Sequence, residues 1–124
     1  MEFQKDNGFF TGRFKSINYA FNGVVKLITT EHSIMVQCFL TILLTLTGFY
    51  FNINQTEWLF QTLAIGLVLS IEGLNTAIEK VADFIHPDHN ERIGFIKDIA
   101  AGAVFFAAIT AITIGCIIYL PKFI

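Results

Sequence analysis

The sequence predicts an all-α membrane protein, in which an N-terminal amphipathic surface helix is followed by three transmembrane helices. Of the 124 residues, 54% are hydrophobic and 15% are charged, and the mean hydropathy of +0.62 is too high for a soluble domain. The apolar residues form three long blocks rather than short alternating runs. Each block reaches the about 20 helical residues that cross a bilayer core. We therefore expect one integral-membrane domain, residues 1–124.

The surface helix is predicted at residues 9–30. Its apolar residues recur at steps of three and four, with polar and basic residues between them, as in an amphipathic helix. Basic residues beside a membrane span favour a helix that lies in the membrane interface. The alternative is an ordinary surface helix packed against the bundle. The apolar positions are Phe10, Phe14, Ile17, Phe21, Val24, Val25 and Ile28.

The transmembrane segments are predicted at residues 33–51, 58–79 and 99–120. The first and third contain no charged residue. The second begins at Trp58, a suitable interfacial anchor, and its helical pattern continues to Ile85. Pro87 is expected to end this helix, with a polar turn at residues 88–92.

The basic residues predict the orientation of the chain. Seven of the eight lie on one side of the spans, and the positive-inside rule makes that side cytoplasmic. The N-terminus is therefore expected in the cytoplasm and the C-terminus outside. The seven are Lys5, Arg13, Lys15, Lys26, Lys80, Arg92 and Lys97, and the eighth is Lys122.

A carboxylate interrupts the second span at Glu72. Together with Asn75, Glu79 and Asp83, it falls within roughly 80° of arc on a helix that turns about 100° per residue. An ionisable group inside a bilayer costs at least about 2.5 kcal/mol, so it indicates a functional site. No basic residue in any span is available to neutralise Glu72. For Asn75, an interhelical hydrogen bond is the structural alternative.

The predicted ends of all three spans carry charges at one depth on the cytoplasmic side. Glu31 precedes the first span, Glu79 lies at the boundary of the second, and Lys97 and Asp98 precede the third. Glu31 and Glu79 suit a hard cation such as Mg²⁺, which binds carboxylates together with phosphate oxygens. Lys97 adds a positive charge suited to phosphate. Taken singly, each of these residues is also explained as an interfacial charge at a helix end.

Small residues predict close helix packing in spans two and three, as at Gly66, Gly73 and Gly102. Three short spans can hardly surround a site with polar groups on their own. A homo-oligomer with sites shared between subunits is therefore expected.

Two sequence blocks carry a family resemblance. The first is Glu72-Gly-Leu-Asn-Thr-Ala-Ile-Glu-Lys-Val-Ala-Asp83, and the second is Lys97-Asp98-Ile-Ala-Ala-Gly-Ala-Val104. They resemble the signatures E-x-x-N-S/T-A-I-E-x-x-x-D and K-D-x-x-A/S-A/G-A-V of the prokaryotic diacylglycerol kinase family, which includes the undecaprenol kinases. The spacing between the blocks also matches, and the resemblance extends upstream through Tyr19, Gly23 and Glu31.

The resemblance implies a homotrimer in the bacterial cytoplasmic (inner) membrane that phosphorylates a lipid hydroxyl with ATP and Mg²⁺. It implies that Glu72 is the catalytic base and Asn75 an essential active-site residue. Glu31 and Glu79 match the metal-binding carboxylates, which also approach ATP. The matching nucleotide-contacting positions are Tyr19, Lys97 and Asp98. The expected partners are a membrane lipid alcohol and further copies of the chain, with no nucleic acid.

The chain departs from the family pattern in two places. The family often has an acidic-aromatic-His triplet after helix two, whereas this chain has Asp88-His89-Asn90, so only Asp88 carries over as a nucleotide contact. The family's arginine near the start of the surface helix corresponds to Arg13, displaced by one position. The acceptor stays open between diacylglycerol and undecaprenol, and the Ala-Ala-Gly stretch is slightly closer to the undecaprenol kinases.

The alternative hypothesis is a small oligomeric proton-coupled transporter with Glu72 as its proton carrier. It leaves unexplained why Glu31, Glu79, Lys97 and Asp98 gather on one side of the membrane. A purely structural membrane subunit is favoured only if Glu72 proves dispensable.

Overall fold

The computed structural model describes residues 8–124, which form four helices connected by short links. Three of the helices, α2 to α4, are long and apolar enough to cross a membrane. The prediction of an all-helical chain with three helices able to cross a membrane is thereby confirmed. Lys5, which was used to predict the orientation, lies outside the described residues. The helices are α1 (Phe9–Thr30), α2 (His32–Tyr50), α3 (Gln55–Ile85) and α4 (Glu91–Phe123).

Glu31 alone separates α1 from α2. Its backbone is extended, with φ −108° and ψ 114°, so it ends one helix and begins the next. Its N–H still donates to the carbonyl of Leu27 at 3.1 Å, and its carbonyl accepts from the N–H of Met35 at 3.1 Å. The carboxylate is therefore held at the start of the first span, where the sequence predicted it.

The link between α2 and α3 is tight because its backbone polar groups are bonded locally. Asn52 takes the left-handed conformation with φ 52°, which asparagine tolerates better than most residues. Asn54 then begins α3 with a capping box: its side chain accepts from the N–H of Glu57 at 2.9 Å, and the Glu57 carboxylate accepts from the N–H of Asn54 at 3.0 Å. α3 thus begins three residues before the predicted span.

α3 ends at Ile85, the predicted residue, and Pro87 lies just beyond it. The polar turn is shorter than predicted, because Asn90 caps α4 by accepting from the N–H of Arg92 at 2.8 Å. Residues 91 and 92 therefore belong to α4 and not to the turn.

α3 packs most extensively against α4, and α2 packs more lightly on α3. An ion pair between Lys122 Nζ and Glu57 Oε2 at 3.0 Å joins the end of α4 to the start of α3, as the antiparallel arrangement requires. The large apolar side chains mostly point outwards, which suits helices surrounded by lipid. The buried positions carry mainly small or branched side chains: Ile34, Ile53, Ala64, Val68, Ala82, Ala100, Ala107 and Ile118.

Gln61 joins the three long helices at the end of the bundle that carries the link between α2 and α3. It is only 4% exposed, and its Nε2 donates to the Leu44 carbonyl of α2 at 3.1 Å. Its Oε1 accepts from the hydroxyl of Tyr119 on α4. A buried amide in an apolar bundle needs hydrogen-bond partners, so this side chain helps to fix how the helices pack at this end.

Gly48 lies where α2 and α3 approach most closely after the turn. A Cβ at this position would be 2.7 Å from Trp58 Cη2, 2.9 Å from Trp58 Cζ2 and 3.1 Å from Ile53 Cδ1. The indole is itself stacked against Phe49, with ring centroids 4.9 Å apart.

We therefore expect Gly48→Ala to destabilise the bundle relative to Gly66→Ala, whose Cβ would have no neighbour within 4 Å. Both changes gain the same helix propensity, but only the first forces the indole to move, a difference of about 1–3 kcal/mol. Thermal unfolding of the two purified variants in the same detergent measures it. Equal unfolding midpoints would contradict the close packing at Gly48.

Candidate functional site

Glu72 is half-buried on α3 and is hydrogen-bonded to α2. Its Oε1 accepts from the Nε2 of Gln37 at 3.1 Å. The partner of the intramembrane carboxylate is therefore a neutral amide and not a basic residue. This bond joins two apolar helices and engages one of the two carboxylate oxygens.

Asn75 and Glu79 continue the predicted stripe along α3. Asn75 Nδ2 donates to Glu79 Oε1 at 3.1 Å, one helical turn apart. Asn75 Oδ1 is buried and has no hydrogen-bond partner among the described residues. An unsatisfied buried carbonyl oxygen is unusual and is available to a ligand. The carboxylate of Glu79 is exposed at the end of the bundle opposite Gln61.

Glu31 lies at the same end of the bundle and is paired with α3. Its Oε1 lies 3.2 Å from the Nζ of Lys80, the residue next to Glu79. The end of α1 also approaches α3 closely at Gly73. A Cβ placed on Gly73 would lie 3.3 Å from Leu27 Cδ1. The structure thus brings Glu31 to the polar end of the stripe.

Lys97 connects α4 to the stripe through Asp83. Its Nζ donates to Asp83 Oδ1 at 2.6 Å, across the link between α3 and α4. Lys97 is half-buried, whereas Asp98 beside it is exposed. A lysine held at one carboxylate is a mobile point charge that can also serve a phosphate oxygen.

Tyr19 and Asp88 lie outside this hydrogen-bonded set. Tyr19 is half-buried on α1, twelve residues before Glu31. Asp88 is exposed in the link between α3 and α4, where its backbone carbonyl accepts from His86 Nδ1 at 2.7 Å. Their predicted nucleotide contacts stay predictions.

Two residues of the site had no role in the sequence-based hypothesis. Gln37 bonds the carboxylate of Glu72, and Asp83 bonds Lys97. Asp83 carried a signal as the last member of the acidic stripe. Gln37 carried a weaker one, as the only side-chain amide in the predicted first span.

An apolar groove begins beside the intramembrane carboxylate. It lies between α2, α3 and α4, has a volume of about 350 Å³, and is lined mainly by small and aliphatic side chains. Gln37 forms one end, and Gln61 with Tyr119 forms the other. The carboxylate of Glu72 therefore stands between an apolar region and the polar cluster.

The oxygen donors at this end of the bundle form no preformed cage for a metal. No three His, Cys, Asp or Glu side chains gather as a metal site anywhere in residues 8–124. The two carboxylates have separate partners, Glu31 in Lys80 and Glu79 in Asn75, and Asn75 Oδ1 is unsatisfied among these residues. Carboxylate and amide oxygens are the donor type that a hard divalent cation takes together with phosphate oxygens, so the chemistry of this donor set fits such a cation.

The fold and site define a small three-span membrane protein with an acid-rich polar end and one carboxylate held deeper in the bundle. The chain matches the sequence profile of the prokaryotic diacylglycerol kinase family over residues 18–119 and belongs to that family. The recognised family makes it a lipid kinase, as predicted.

Relatives align along most of the chain. It is 36% identical over 109 residues to the undecaprenol kinase of Bacillus subtilis, covering 88% of this chain and 89% of the relative. It is 29% identical to the diacylglycerol kinase of Haemophilus influenzae, covering 88% and 93%. Identity to the diacylglycerol kinase of Escherichia coli K12 is 26%, covering 92% and 93%. These similarities favour the kinase hypothesis over the transporter.

Proposed function

We propose that the protein transfers the γ-phosphoryl group of MgATP to the hydroxyl group of a membrane lipid, with Glu72 as the general base. One observation carries this proposal: a half-buried carboxylate, bonded within residues 8–124 only to a neutral amide, stands between an apolar groove and a polar cluster. A lipid and a soluble nucleotide require such a boundary, because each reaches the site from a different medium.

Glu72 is proposed to accept the proton of the lipid hydroxyl as its oxygen attacks the γ-phosphorus and ADP leaves. The acceptor hydroxyl would reach it from the end of the groove at Gln37. A base within hydrogen-bond reach of the hydroxyl suffices, since phosphoryl transfer depends chiefly on positioning and charge neutralisation.

Glu31 and Glu79 are proposed to hold Mg²⁺ against the phosphates, with Asn75 between this site and Glu72. When bound, the cation neutralises charge on the β- and γ-phosphate oxygens. Lys97 would leave Asp83 to contact a phosphate oxygen, an exchange favoured by the partial exposure of both side chains. Tyr19, Asp88 and Asp98 are proposed as further nucleotide contacts.

We propose a homotrimer with sites shared between subunits, forming a single lipid kinase domain. Support comes from the light packing of α2 on α3 and from the large apolar side chains that the three long helices leave exposed. α1 is proposed to lie in the cytoplasmic interface, since it has no buried residue and its Phe10, Phe14 and Phe21 are at least 65% exposed.

Undecaprenol is the acceptor that we favour over diacylglycerol. The relative with the name undecaprenol kinase is 36% identical, against 26% to 31% for those with the name diacylglycerol kinase. A side-by-side assay with both lipids decides between them.

The purified protein in detergent micelles should release ADP when it is given ATP, Mg²⁺ and undecaprenol or diacylglycerol. Glu72→Gln keeps the size and the hydrogen bond to Gln37 but removes the base, so turnover should fall about 100- to 10,000-fold. ADP production measures turnover, and size-exclusion chromatography serves as the control for assembly. Failure to phosphorylate any lipid alcohol would refute the proposal.

Mg²⁺ dependence tests the two proposed metal ligands. Glu31→Gln and Glu79→Gln should each raise the Mg²⁺ concentration for half-maximal turnover by about tenfold or more, because a neutral amide is a poorer ligand for a hard cation. Glu57→Gln is the matched control, since Glu57 is paired with Lys122 at the opposite end of the bundle from Glu79. An unchanged Mg²⁺ requirement in both variants would remove these residues from the metal site.

Reporter fusions test the orientation. Alkaline phosphatase folds only outside the cytoplasm, so a fusion after Ile124 should be active and a fusion before residue 1 inactive, as the positive-inside rule requires. Fusions of green fluorescent protein should give the reverse pattern. An inactive C-terminal phosphatase fusion at normal expression would contradict the predicted topology.

A further inference from the structure

Gln37 is the residue of the site that the reaction, as proposed so far, leaves without a role. It lies on α2, six residues and about 9 Å beyond Glu31 at 1.5 Å per residue. Its only side-chain hydrogen bond in the described residues goes to Oε1 of Glu72, 35 positions away in the chain. A glutamine within an apolar span is disfavoured unless its amide is used, so this contact calls for an explanation.

We propose that Gln37 is a positioning residue for the reaction, which fixes the Glu72 carboxylate in the orientation that accepts the proton of the acceptor. This inference rests on the proposed function, because it takes Glu72 as the base. It adds a group from within α2 to a base that lies on α3.

The argument begins with the freedom of a glutamate side chain. Three side-chain torsions separate the carboxylate of Glu72 from its helix. The backbone of α3 alone leaves several combinations of these torsions open. The bond from Gln37 Nε2 to Oε1 selects one arrangement and leaves Oε2 for the incoming hydroxyl. Displacing a reacting group by about 1 Å can cost on the order of 100-fold in rate.

The neutrality of Gln37 matters as much as its position. A lysine or arginine here would form an ion pair with Glu72 and compete with the acceptor hydroxyl for the carboxylate. An amide N–H donates without carrying a charge and stays protonated throughout the reaction. Gln37 therefore orients the carboxylate of Glu72, which remains free to accept the proton of the substrate hydroxyl.

Glutamines in membrane bundles also hold helices together, and this is the competing explanation. The chain provides a matched residue for that role in Gln61. Gln61 also bonds α2 to α3, but it lies eleven residues and about 16 Å from Glu72 along α3. A comparison of the two glutamines separates positioning from helix association.

The test compares Gln37→Met with Gln61→Met in the full-length protein, using lipid-kinase turnover and thermal unfolding. Methionine keeps the length of the side chain and removes both hydrogen-bonding atoms. We expect Gln37→Met to lower kcat between about 10- and 100-fold with the KM for ATP changed less than twofold. Gln61→Met should lower the unfolding midpoint more than Gln37→Met. Glu57→Gln, whose side chain pairs with Lys122 and does not line the groove, is the control for activity and should leave kcat within about twofold.

The outcomes distinguish the inference from the proposed function. If Glu72→Gln is inactive and Gln37→Met has the wild-type kcat, Glu72 remains the base and the role of Gln37 is refuted. The activity of Gln37→Met could also fall only as far as its lowered unfolding midpoint explains. That result is expected for a simple helix contact, and it too refutes the positioning role. An active Glu72→Gln variant overturns the proposed base itself.

Discussion

Polar side chains within the apolar spans must find partners inside the bundle, and this constraint determines how α2, α3 and α4 are joined. Two glutamines meet it at opposite ends. Gln61 reaches the Leu44 carbonyl and the hydroxyl of Tyr119 at one end, while Gln37 reaches the carboxylate of Glu72 towards the end that carries Glu79. Because water is absent from a bilayer core, neither amide has a comparable alternative outside the bundle. Both bonds join α2 to α3, where the packing is lighter than between α3 and α4.

The two ends of the bundle use their polar groups differently. At the end with Gln61, both atoms of the Gln61 amide are bonded and Lys122 is paired with Glu57. At the end with Glu79 the matching is incomplete, since in residues 8–124 Asn75 Oδ1 has no partner and Glu72 has one neutral donor. Incomplete satisfaction is expected where a ligand completes a site. This contrast supports the proposal that the polar end with Glu79 carries the chemistry.

The charged pairs at the end of the bundle with Glu79 bear on how a nucleotide would bind. Lys80 holds Glu31 and Lys97 holds Asp83, so both lysines and one proposed metal ligand are already engaged. These pairs are partly exposed, and exposed ion pairs contribute little to stability. In the proposed mechanism a polyphosphate with its cation exchanges these contacts for stronger ones without unfolding any helix. In that mechanism the pairs would order these charges before the substrates bind.

The sequence by itself determined the helices and the charges at their ends. Hydrophobic blocks of bilayer length and the periodic pattern are local properties, so residues 9–30 and the end of α3 at Ile85 could be predicted directly. The same periodicity placed Glu72, Asn75 and Glu79 on one stripe. The partners of these groups could not be predicted in this way. Gln37 with Glu72, Lys97 with Asp83 and Lys80 with Glu31 join different parts of the chain, and only the packing of the helices decides which side chains come within hydrogen-bond distance.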